Sequence, residues 1–196
     1  MKNDRLKSSA ATNRFRFETT PIGGLVIAHE SPKVDERGEF TRVYCATDFL
    51  CADLEEPICQ INHSLSLKRG TIRGLHFQHH PYTEDKVVSC VAGEIFDVAV
   101  DLRRDSPTFL RWFGITLSAK NNTSLIIPAG FAHGFQALED HSEVLYFVTA
   151  PFHAQSENGL NPMDPMLEIK WPLSCTCISQ RDRERPFVDS TSFVGL

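Results

Sequence analysis

The chain has 196 residues, 41% hydrophobic and 23% charged, with 20 basic against 25 acidic side chains and a formal net charge of −5. That balance suits a globular protein with a sizeable core and excludes a general nucleic-acid-binding role, which needs a basic surface. No apolar run approaches the roughly 20 residues of a membrane span, and Met1-Lys2-Asn3-Asp4-Arg5 leads into polar residues rather than the apolar core of a secretory signal, so a cytoplasmic location without membrane contact is expected.

Residues 1–14 are polar and read as a loose arm. Phe15 to Ile27 alternates briefly and contains Pro21, Gly23 and Gly24, which predicts short strands around a turn. Asp35-Glu36-Arg37-Gly38 reads as a turn leading into a strand from Phe40 to Tyr44, and Ala46 to Leu54 as a short helix. From Cys59 onward strand follows strand. Val87–Ala92 is apolar. In Glu94–Leu102 one face carries Phe96, Val98, Val100 and Leu102 and the other Ile95, Asp97, Ala99 and Asp101, the pattern of a half-buried strand. On that face Asp97 and Asp101 read as structural. Phe109–Leu117, Ser124–Ile127 and Glu143–Val148 follow, separated by turns at Asp105-Ser106-Pro107 and Asn121-Asn122.

Strands at this spacing, with no helix long enough for a βαβ crossover, predict an all-β antiparallel architecture. The best fit is a jelly-roll barrel with short peripheral helices. Residues 1–196 read as a single domain, closing in a polar tail over 173–196.

Two segments carry the chemistry: Arg73-Gly74-Leu75-His76-Phe77-Gln78 and Pro128-Ala129-Gly130-Phe131-Ala132-His133-Gly134-Phe135. Pro128, Gly130 and His133 match the second histidine motif of the cupin superfamily, in which a tight turn delivers the histidine into the barrel. Metal-binding cupins pair it with an upstream His-x-His. Here that place holds His76-Phe77-Gln78, and glutamine is a poor ligand where imidazole and carboxylate are preferred. A histidine without a metal can act as a general base, since imidazole titrates near neutrality. Either histidine could also be a core residue satisfied by backbone carbonyls. The six cysteines make no CxxC pair, which points to reduced thiols rather than a disulfide framework or metal cluster.

From Asp35 to Pro186, about three-quarters of the chain, an ordered set of segments resembles the dTDP-4-dehydrorhamnose 3,5-epimerase family. It comprises Asp35-Glu36-Arg37-Gly38, Gln60-Ile61-Asn62-His63-Ser64, the two histidine segments, Lys86-Val87-Val88, Gly93 to Arg103, Ser106-Pro107-Thr108-Phe109 and Ile169-Lys170-Trp171-Pro172. The resemblance implies a jelly roll that works without metal or other cofactor, usually as a homodimer. The implied substrate is a nucleoside-diphosphate 4-keto-6-deoxy sugar, with thymine as the family's default base. The hydrogens at C3 and C5 flank the C4 ketone and become removable once the enolate oxygen is stabilised. By resemblance His76 is the base, Asp182 its orienting carboxylate and Lys86 a residue near the enolate oxygen. Arg73, His133, Gln60 and Asn62 are implied substrate contacts. Arg37 is implied to grip the diphosphate, across a dimer interface, in the paired geometry that arginine offers.

One position departs from the family. Epimerisation needs a second proton-transfer group on the opposite face of the ring, and a tyrosine in a Tyr-Tyr segment usually supplies it. Pro151-Phe152 stands there in this chain, so Phe152 has no proton to give. Tyr146, His153 or water is left to deliver the proton, which predicts an epimerase of one carbon or altered specificity ahead of a full 3,5-epimerase. Two further classes stand beside the epimerase: a metal-dependent cupin isomerase or oxygenase, and a non-catalytic sugar-nucleotide-binding protein.

Overall fold

The computed structural model describes residues 9–189 and 193–196; residues 1–8 of the expected arm and 190–192 of the polar tail lie outside the described residues. In chain order the strands begin with β1 (Ser9–Ala11), β2 (Phe15–Thr19), β3 (Val26–Glu30), β4 (Lys33–Asp35) and β5 (Gly38–Phe40). After helix α1 (Ala46–Phe49) come β6 (Gln60–Ser66), β7 (Thr71–Gln78), β8 (Lys86–Ala92), β9 (Glu94–Asp101) and β10 (Trp112–Ser118). The last are β11 (Thr123–Ile127), β12 (Phe131–Ala137), β13 (Ser142–Val148), β14 (Glu157–Gly159) and β15 (Cys177–Ile178), followed by helix α2 (Gln180–Arg183). One sheet runs β1-β2-β3-β11-β8-β13-β6; the other runs β10-β9-β12-β7-β14, with β15 pairing parallel to β7.

This is the expected all-β jelly roll of the cupin type. The two sheets close over a core that takes Val88, Leu125 and Val144 from the larger and Ile95, Ala99, Phe131 and Phe135 from the smaller. Phe17 is fully buried with Phe15 and Phe49 on the outer side of the larger sheet, their rings 5.0–5.8 Å apart. Trp112 and Trp171 instead pack on the outer side of the smaller sheet.

Three local expectations change. Ser9–Ala11 of the expected arm pairs with Arg16–Glu18 of β2. The strand expected over 40–44 stops at Phe40, because the next residues peel away to lay Tyr44 on Phe49 and Phe147, at 5.0 and 5.8 Å. Strand β9 has no solvent face: Val98 and Val100 are as buried as Ile95 and Ala99. The C-terminal part of the chain supplies the second cover, with Leu160, Leu167 and Val188 packed against Val98, Val100 and Leu102. The turn after β9 is tied by Asp101, whose carboxylate accepts from Arg103, Ser106 and Thr108.

Strands β7 and β12 touch at two glycines, where the register shifts between His133 and Phe135. Gly74 has φ +118, and a Cβ there would lie 2.6 Å from the Gly134 Cα. Gly74→Ala therefore meets both a left-handed backbone penalty and a backbone clash. We expect it to destabilise the fold by about 3 kcal/mol, read as a lower urea midpoint at unchanged slope.

Candidate active site

The alternation of β7 turns Leu75 and Phe77 into the outer cluster, which leaves His76 and Gln78 facing the barrel interior. His133 of β12 is registered directly opposite His76, so both imidazoles stand on one wall. The facing wall belongs to the larger sheet: Lys86 from β8, Tyr146 from β13, and Gln60 and Asn62 from β6. In β6 the alternation is inverted. Gln60, Asn62 and Ser64 line the cavity, while Ile61 and Leu65 are exposed. Together these residues enclose about 630 Å³.

Each imidazole has its own carboxylate. His76 donates from Nε2 to Asp182 Oδ1 at 2.7 Å, leaving Nδ1 as the ring nitrogen free to take a proton. Asp182 is buried in the first turn of α2, where Ser179 Oγ accepts its backbone N–H and Gly74 N–H donates to Oδ2. Burial alone would raise the Asp182 pKa. The hydrogen bond and charge of His76, with help from Gly74 and Ser179, outweigh it and hold the carboxyl below its ordinary range. Deeper in the barrel, His133 Nε2 donates to Asp97 Oδ1 at 2.7 Å. Asp97, read as structural from sequence, is thus the partner of a cavity histidine.

Lys86 is nearly buried and pairs through Nζ with Glu84 Oε1 at 2.9 Å. Tyr146 is half-buried, and its hydroxyl pKa is raised by burial and then by the charge of Glu84, against a lowering by Arg73. Arg73 reaches across to β6, donating to Leu65 O at 2.8 Å and Ser66 Oγ at 3.2 Å. Phe152 sits at the rim, 58% exposed. Its backbone N–H donates to Gln60 Oε1, whose Nε2 donates to Asn62. Glu157 and Arg181, paired with each other, also line the mouth.

One cavity therefore collects nine of the ten residues expected at the site. Arg37 lies elsewhere, 83% exposed on the β4–β5 hairpin and paired with Asp35 at 2.6 Å. Sequence reasoning missed Asp97, Glu157, Arg181 and Glu84. A carboxylate on the inward face of β9, two residues from a core alanine, was the available signal for Asp97. Among the described residues no three His, Cys, Asp or Glu side chains are grouped to hold a metal ion, and none of the helices is long and apolar enough to cross a membrane.

The family model described as dTDP-4-dehydrorhamnose 3,5-epimerase matches residues 19–190. The chain belongs to this family. It is a carbohydrate epimerase of the isomerase class. A relative from Shigella flexneri, named dTDP-4-dehydrorhamnose 3,5-epimerase, is 43% identical over 167 residues, covering 83% of this chain and 92% of its own. The Legionella pneumophila dTDP-6-deoxy-D-glucose-3,5-epimerase, solved with dTDP-4-keto-L-rhamnose, superposes with a TM-score of 0.86 at 36% identity, covering 93% of this chain and 98% of its own. A 3'-monoepimerase from Streptomyces bikiniensis, solved with dTDP-quinovose, gives 0.80 at 31% identity, covering 86% and 85%.

The depressed pKa of Asp182 has a thermodynamic consequence in this epimerase. A carboxyl whose folded pKa lies below its unfolded value adds stability above the ordinary carboxylate range, and that stability is lost as pH falls through the folded pKa. Asp182→Asn removes this proton linkage. Urea midpoints followed from about pH 7 down to about pH 3 should fall less steeply in the variant than in the parent.

Proposed function

We propose that the protein epimerises C3 and/or C5 of a dTDP-linked 4-keto-6-deoxy sugar, by proton removal and return through an enolate. His76 takes the proton on Nδ1, and the C–H electron pair moves into the adjacent ketone. Asp182 fixes the ring through Nε2 and stabilises the imidazolium that forms. Lys86 offers its ammonium to the enolate oxygen, where charge develops. Tyr146, on the facing wall, returns a proton to the opposite face; as a phenol it is protonated at neutral pH, and burial with the charge of Glu84 raises its pKa further. His133, Gln60, Asn62 and Arg73 hold the substrate, with Phe152 against it at the rim.

The single-domain chain acts as a cytoplasmic homodimer, with Arg37 gripping the diphosphate in a partner's site; its place outside the cavity of its own chain supports that role. The facing arrangement of the His76–Asp182 pair and Lys86 with Tyr146 carries the proposal, and the dTDP ligands of the similar structures support the substrate class.

In D₂O, with a dTDP-4-keto-6-deoxy sugar, NMR should show deuterium entering the ring. His76→Ala and Asp182→Asn should each slow this entry by about 10²- to 10⁴-fold. Entry at the parental rate in both variants would remove these roles.

The rim sets how many carbons react. Phe152 carries no proton, so one position should exchange much faster than the other in the parent. Phe152→Tyr should accelerate the slower position by about tenfold or more. Equal, fast exchange at both carbons in the parent would sink the one-carbon specificity, and Tyr146→Phe should slow whichever position the parent uses.

A further inference from the structure

Gln78, which stands where a metal-binding cupin has its second histidine, is buried and fully committed. Its Nε2 faces three oxygens: Tyr82 O at 3.0 Å, Glu84 Oε2 at 3.0 Å and Pro151 O at 3.2 Å. Its Oε1 accepts the His153 N–H at 2.7 Å. The acceptor set fixes which way the amide points, because a flip would bring Oε1 against three oxygens. Glu84 is thereby held through Oε2, and its other oxygen meets Lys86 Nζ at 2.9 Å. Both side chains of that pair are nearly buried, at 10% and 11% exposure. A pair so placed has little competition from water and stays directional.

Lys86 thus ends a chain of contacts that starts on β7, two residues from His76. A four-carbon side chain with a rotatable ammonium has no fixed position of its own. We propose that Glu84, held from behind by Gln78, is the positioning residue of Lys86, fixing its ammonium in the cavity relative to His76. This rests on the role proposed above for Lys86.

The same carboxylate acts on Tyr146, whose pKa it raises while Arg73 lowers it. Arg73 and His76 of β7, Lys86 of β8 and the His133–Asp97 pair share the cavity with Tyr146, and β6 brings only neutral side chains to it.

Glu84→Gln keeps the size and removes the charge. In the exchange assay kcat should fall by about tenfold, as a loosened catalytic group predicts, with KM within about twofold. The alkaline limb of the kcat profile should move to lower pH, because Tyr146 loses the charge that holds its proton. Independently of substrate, acetylation of Lys86 by acetic anhydride, read by peptide mass spectrometry, should become several-fold faster once the amine is untied. Gln78→Glu, which sets a carboxylate against Glu84, should speed the acetylation likewise.

If Glu84→Gln leaves kcat and its pH profile unchanged, or Lys86 acetylation unchanged, the positioning role is overturned. A parent enzyme that exchanges no ring hydrogen would instead overturn the proposed reaction, and the acetylation rates would still decide whether Glu84 holds Lys86.

Discussion

The contact between His76 and Asp182 joins residues 106 positions apart, and much of the architecture serves it. A carboxylate this buried costs free energy unless donors surround it. The fold supplies them from two directions, an imidazole and the Gly74 N–H, and Ser179 caps the turn of α2 that carries the carboxylate. To bring that turn there, the chain after Trp171 must run along the edge of β7, and β15 does so by pairing with Thr71 and Ile72. Before and after that run, Leu160, Leu167 and Val188 of the same C-terminal part cover the outer face of the smaller sheet. The orientation of one histidine and the burial of a second hydrophobic layer thus depend on one path of the chain.

The two walls of the cavity differ in chemistry. The smaller sheet presents two imidazoles, each backed by a buried carboxylate. The larger presents an amine, a phenol and amides. In the reaction proposed above, a flat ring between them meets a base on one side and an amine and a phenol on the other. The inverted alternation of β6 belongs to this division, since its polar residues face inward where the barrel opens.

Much of this was legible in the sequence. The strand periods and turn residues predict the barrel, and the two histidine segments predict one pocket, because each pairs a glycine turn with a strand that must face inward. What stayed hidden was set by distant chain. Strand β9 reads as half-buried because its outer cover lies some 60 residues or more away, in a stretch too irregular to show a period. Asp97 reads as structural because its partner His133 sits on another strand. Asp182 entered through resemblance alone, since four residues of helix leave no periodic trace. Glu84 was visible as a carboxylate near His76, but its pairing with Lys86 depends on the bend that Gln78 holds.

The hold of Gln78 on Pro151 and His153, with Gln60 on the amide of Phe152, pins three successive backbone positions by side chains outside that segment. All three bonds end on backbone atoms, and none involves the Phe152 ring. Identity and location are thereby uncoupled at position 152: a ring with or without a hydroxyl occupies the same spot, because the loop takes its shape from β6 and β7. A single codon can then change the chemistry of the rim without any need to remodel the loop. In the reaction proposed above, the path from a rim without a phenol to one that carries it is then a single substitution long.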